Sequence, residues 1–81
     1  MIRVEVRLYA TLGTYRPDAP IGEAAVCELA DGTTVRELLE GTLGVPPDQV
    51  KTVFVNAISR RVDYILADGD RIGIFPPVAG G

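Results

Sequence analysis

The chain has 81 residues, 47% of them hydrophobic, and a formal net charge of −3. That length bounds it to one domain with one small core, the apolar content is too high for a disordered chain, and the negative balance argues against nucleic acid as the main partner. Histidine is absent and Cys27 is the lone cysteine, so the commonest general base is missing and neither an internal disulfide nor a cysteine-rich zinc or iron–sulfur site can form.

The opening, Met1-Ile2-Arg3-Val4-Glu5, alternates apolar and charged residues and contains no long apolar run. It reads neither as a signal peptide nor as a membrane span, which implies a cytoplasmic protein without membrane contact. Ile2, Val4, Val6 and Leu8 alternate with Arg3, Glu5, Arg7 and Tyr9, the period of a strand with one buried face. Residues 11–23 contain Gly13, Pro17, Pro20 and Gly22 and read as a loop, long for a hairpin connection. Residues 24–30 form a weaker second strand, with Ala25, Cys27 and Leu29 on one side.

Asp31-Gly32 reads as a turn. Thr34-Val35-Arg36-Glu37 fits a capping box, in which threonine and glutamate each satisfy the other's backbone amide. Val35, Leu38, Leu39 and Leu43 follow as one apolar helical stripe. Gly44 suits the residue just past the helix end, and Pro46-Pro47 prevents continuation. Gly41 inside the helix is unfavourable by about 1 kcal/mol, with close packing on a sheet as its one suggested reason.

Thr52 to Asn56 is a short strand with Val53 and Val55 on one side and Phe54 on the other. Residues 57–61 read as a polar turn carrying Arg60 and Arg61, and residues 62–66 as including a brief strand. Asp68-Gly69-Asp70 is a tight turn. The last strand, Arg71 to Phe75, turns Ile72 and Ile74 to the core and leaves Gly73 and Phe75 outside. The order of elements predicts an α+β domain, a mixed sheet with one main helix packed on one face, which is the β-grasp or ubiquitin-like arrangement. The first and last strands would lie side by side at the sheet centre. Residues 1–75 form the expected domain, and residues 76–81 an extended tail.

That tail reads Pro76-Pro77-Val78-Ala79-Gly80-Gly81. Two glycines have no side chain to bury and the largest entropy cost of ordering, so packing does not account for them. They offer a thin thread ending in an unhindered carboxylate, a shape suited to a narrow active site of another protein. The proline pair fixes φ and favours an extended course.

The stretch from Leu66 to Gly81 closely resembles the end of the small subunit of molybdopterin synthase, which with the thiamine sulfur carrier belongs to the β-grasp sulfur carriers. The specific part is an Asp68-Gly69-Asp70 turn paired with a Pro-Pro-x-x-Gly-Gly end. Tyr9-Ala10-Thr11-Leu12, the helix start Thr34 to Leu39, and Val53-Phe54-Val55-Asn56 fit as well, so the resemblance spans nearly the whole chain. It implies that an E1-like adenylyltransferase uses ATP and Mg²⁺ to adenylate the Gly81 carboxylate, with Gly80 beside it in the enzyme's channel. It implies a sulfur donor protein that converts the adenylate to a thiocarboxylate, and docking on the large synthase subunit to deliver sulfur to a pterin precursor. The chain itself would bind no cofactor or metal and have no turnover alone. The sequence departs from the usual family ending at Ala79, where serine is common, which puts one partner hydrogen bond in doubt.

By alternation Tyr9, Phe54 and Phe75 all fall on the sheet face away from the helix. Such an apolar cluster marks a binding surface in which aromatics serve as anchors, and it extends into Pro76, Pro77, Val78 and Ala79. A register error of one residue would instead bury these rings. Other candidates are weaker. Cys27 reads as a small buried hydrophobe, Asp68 and Asp70 as turn formers short of a calcium loop, and Arg60 and Arg61 as a solvated turn with some capacity to meet a partner's acidic groups. Three alternatives stay open: a carrier for thiamine or cysteine synthesis, a ubiquitin-like modifier conjugated through Gly81, and a plain interaction domain.

Overall fold

Period-two alternation in the first seven strand residues puts Val4, Val6 and Leu8 inside. The computed structural model, which describes residues 1–15 and 24–77, pairs this strand on both sides. We label the strands β1 (Ile2–Leu8), β2 (Ala25–Leu29), β3 (Thr52–Val55), β4 (Ile58–Ser59) and β5 (Arg71–Phe75). They form one sheet in the order β2-β1-β5-β3-β4. β1 and β5 are parallel neighbours, and the remaining pairs are antiparallel. The first and last strands therefore lie together in the sheet, as the sequence predicts.

The helix begins at Val35 behind the expected cap. The Thr34 hydroxyl accepts from the Glu37 amide at 3.2 Å, and the Glu37 carboxylate accepts from the Thr34 amide at 3.1 Å. Only Val35–Glu37 is α-helical, and Leu38–Leu43 continues as a π-helix. The amide of Gly44, at φ 70°, donates to the Leu39 carbonyl five residues back. The wider turn keeps Leu38, Leu39 and Leu43 all buried, because a stripe stepping by three, four and five residues fits a locally expanded helix.

Gly41 corrects an expectation. A Cβ built there meets nothing within 4 Å, so no close approach to the sheet explains the glycine. Its φ is not in the left-handed region. Gly41→Ala is accordingly expected to stabilise the fold by about 0.5–1 kcal/mol, measured as an upward shift of the urea midpoint.

Three segments depart from the sequence reading. Ala10–Tyr15 is a 3₁₀ helix that buries Leu12 in the core; it begins the stretch read as a loop, of which residues 16–23 lie outside the described part. The turn placed at 57–61 is confined to Asn56 and Ala57, with φ 54° and 68°, and Ile58–Ser59 pairs back on β3 as β4. Asparagine suits the left-handed region, and two such residues in a row form the tight turn that hairpins favour. The brief strand sought in residues 62–66 reduces to one bridge, Thr34 to Ile65. Its carbonyls serve the helix instead: Val62 and Tyr64 accept from the amides of Arg36 and Val35 at 2.8 and 3.0 Å. A helix start leaves amides without partners in its own turn, and this segment supplies them.

One buried charge ties the sheet to its turns. Asp70 is 6% exposed; its carboxylate accepts from the Asn56 side chain at 2.9 Å and from the Ala67 amide at 2.8 Å. Asn56 in turn accepts from the Arg71 amide at 3.0 Å. Asp70→Ala strands these donors and is expected to destabilise by about 1–3 kcal/mol. Chemical denaturation checks this, and an unchanged midpoint would show that water replaces the carboxylate at no cost.

Candidate functional site

The strand register builds an aromatic face. Arg7, Gly73 and Phe54 share one row across β1, β5 and β3, and the next row brings Thr52 opposite Phe75. Tyr9, one residue past β1, continues beside Phe75. The two rings stack at 4.4 Å between centroids with 3° between planes, and Phe54 meets Phe75 edge-on at 5.6 Å and 88°. These geometries suit ring quadrupoles. The expected register therefore holds: Phe75 is 36% exposed and Tyr9 and Phe54 are half-buried on the side away from the helix.

Gly73 shapes the face from below. A Cβ there would lie 3.5 Å from the Tyr9 ring and 3.6 Å from the Phe75 ring. Its missing side chain leaves a depression of about 650 Å³ bordered by the three rings, Arg7 and Asn56. Charge on this face is largely paired. Arg71 sits 3.6 Å from Glu5, and Arg3 sits 3.1 Å from Glu28. Arg7 forms no ion pair with another described residue. Arg7 and Gly73 were missed as site residues, although the alternation of β1 already places Arg7 on the side of Tyr9.

The same strand leads to the tail and is held to its last residue. The Ile74 carbonyl accepts from the Tyr9 amide at 3.2 Å, and the Phe75 carbonyl from the Lys51 amide at 2.8 Å. Pro76 and Pro77 have no amide hydrogen, so the ladder cannot continue through them. Pro76 is half-buried and Pro77 exposed. Val78, Ala79, Gly80 and Gly81 lie outside the described residues.

The weaker candidates take structural places. Cys27 is buried in β2. Asp68 accepts from the Arg3 amide at 2.8 Å, and the Arg3 carbonyl accepts from Gly69 at 2.8 Å, so the Asp-Gly-Asp turn clips onto β1. Arg60 and Arg61 are exposed, just past β4. No helix among the described residues is long and apolar enough to cross a membrane.

Parallel first and last strands inside a mixed five-stranded sheet, with one helix across one face, define a ubiquitin-like β-grasp protein. The family model described as Mut7-C ubiquitin matches residues 1–80, and the chain belongs to that family. Its solved structural relatives include a Pyrococcus furiosus protein assigned as subunit 1 of a molybdopterin converting factor, at 25% identity over 96% of this chain and all of that one, with a TM-score of 0.74. Subunit 1 or 2 in a protein–protein complex of the Helicobacter pylori molybdopterin-converting factor aligns at 26% identity, covering 99% and 100%, with a TM-score of 0.61. Small archaeal modifier protein 1 of H. volcanii shares the fold at 21% identity, covering 96% and 100%, with a TM-score of 0.69. No curated protein matches the chain.

Proposed function

We propose that this protein is a sulfur carrier whose reactive group is the Gly81 carboxylate, and that it serves as the small, sulfur-donating subunit of a molybdopterin synthase. The observation that carries the reading is a juxtaposition. The central strand that leads into Pro76-Pro77 also bears Phe75, the middle ring of the exposed aromatic cluster. A partner that docks on the cluster thereby receives the tail at a fixed point. The likeness to converting-factor subunits, one of them solved as a complex of subunits 1 and 2, supports a large-subunit partner.

The chemistry follows from the end group. A carboxylate is a poor electrophile because its charge is delocalised, and attack of its oxygen on the α-phosphorus of ATP, with loss of pyrophosphate, converts it to an acyl-adenylate with a good leaving group. ATP and Mg²⁺ belong to the activating enzyme in this scheme. Sulfur delivered by a donor protein at the sulfide level then attacks the acyl carbon, the bond to the AMP oxygen breaks, and a thiocarboxylate and free AMP result. Glycines at 80 and 81 let the enzyme surround the carbonyl without a Cβ in the way, and the proline pair directs the thread outward.

Single-turnover transfer tests the assignment. The thiocarboxylated protein, mixed with a molybdopterin synthase large subunit and the pterin precursor, is expected to lose its sulfur as the dithiolene forms. Retention of the sulfur with this acceptor, and its loss to a thiamine or cysteine pathway acceptor, would move the carrier to that pathway.

A further inference from the structure

A second concave surface has no lining residue in common with the depression over Gly73, and it meets the aromatic face at Thr52, opposite Phe75. It is a groove of about 460 Å³ between the helix and the β3–β4 edge. Its floor is aliphatic, with Leu39, Val45, Val50, Val53 and Val62. Arg36, Lys51, Arg60 and Arg61 stand around it, all exposed, against the single carboxylate of Glu40. Half of the chain's eight cationic residues thus gather at one groove of a protein whose net charge is −3.

The cations are available. Arg36 and Lys51 form no ion pair with another described residue, and Arg61 has only a 4.0 Å contact with Asp63 between highly exposed side chains, which is worth little in water. Arg60 lies over the Tyr64 ring at 4.9 Å, which holds its charge beside the groove. The backbone donors are already occupied. The amides of Arg36, Val45, Lys51 and Arg60 donate to carbonyls within the fold at 2.8 to 2.9 Å. A phosphate bed requires free amides converging on one point, and this groove instead offers an apolar trough with an exposed cationic rim.

We infer that this groove binds an extended acidic segment of a partner protein, with a branched aliphatic side chain seated on the valine and leucine floor and flanking carboxylates on Arg36, Lys51, Arg60 and Arg61. Aliphatic burial supplies affinity, and the charged rim supplies selectivity and association rate. The groove borders the aromatic face at Thr52, which pairs with Phe75, and at Lys51, whose amide donates to the Phe75 carbonyl. The inference does not depend on the chemistry at Gly81.

Selection of a random peptide display library on the intact protein tests it. The enriched peptides are expected to carry Asp or Glu on both sides of Val, Ile or Leu. Their binding should weaken about tenfold or more in Arg36→Glu/Lys51→Glu and weaken with added salt. The milder Arg36→Gln/Lys51→Gln pair, with its fold checked by circular dichroism, should lose part of the affinity, and Val26→Ala, exposed on β2 and outside the groove, should lose none. Enrichment without acidic excess, no enrichment at all, or full binding to the folded charge-reversed variant overturns the inference. So does inorganic phosphate alone, should it reproduce the peptide's amide shifts at the groove, because the site would then be one for a free anion.

Discussion

Gly81→Ala is expected to slow adenylation of this protein about 100-fold, read as pyrophosphate release by its activating enzyme, with the melting temperature unchanged. The size follows from geometry: a displacement of about 1 Å at a reacting centre is enough for a loss of that order. A methyl group at the last Cα sits against the carbonyl that the enzyme must enclose, and it also removes access to backbone conformations with positive φ. The fold is expected to be indifferent because, among the described residues, the buried core runs from Val4 to Ile74. Adenylation at the wild-type rate would show that the enzyme leaves space at the α-carbon. A lowered melting temperature would show instead that the tail packs on the domain.

Phe75→Ala is expected to weaken binding to the large synthase subunit by about 2 kcal/mol or more, near 30-fold in Kd, as for an aromatic anchor at the centre of an interface. Phe75 touches both other rings of the cluster, at 4.4 and 5.6 Å, so its removal also frees Tyr9 and Phe54 from their set positions. Folding also loses the ring's partial burial, Phe75 being 36% exposed, and about 0.5–1.5 kcal/mol for the ring pairs. Ile65→Ala is the matched control. That side chain is 62% exposed and sits opposite Thr34, away from the aromatic face. Titration calorimetry with the large subunit separates the two; equal losses would mean that general apolarity, and not this cluster, drives docking.

How much of this was legible in the chain depends on how local the determining physics is. Strand alternation is local, and it placed Val4, Val6, Leu8, Ile72 and Ile74 inside and the three rings outside. The capping box at Thr34 and Glu37 is equally local and formed as expected. What escaped was set by tertiary contacts. Leu12 is drawn into the core by burial that a Gly- and Pro-punctuated segment does not advertise. The π-helical expansion after Glu37 answers to the need to seat Leu38, Leu39 and Leu43 on one sheet. Residues 62–66 gave up a strand ladder to cap the helix. The cationic groove joins Arg36, Lys51, Arg60 and Arg61 from three separate stretches, so no single window of sequence contains it. For the tail, the chemistry was read from the residue types of Gly80 and Gly81 and from a family resemblance. The structure adds the anchored strand and the aromatic face behind them.

Whether the Gly81 carboxylate is the reactive group is decided by intact-protein mass spectrometry of the chain isolated from its own cells. The expected result is a population in which one terminal oxygen is exchanged for sulfur, located to Gly81 by fragmentation and lost on treatment with a thiol-specific alkylating agent in favour of the alkylated form. A branched peptide joining Gly81 to a lysine of another protein, with no thiocarboxylate at any stage of growth, would contradict the carrier reading and make the protein a modifier.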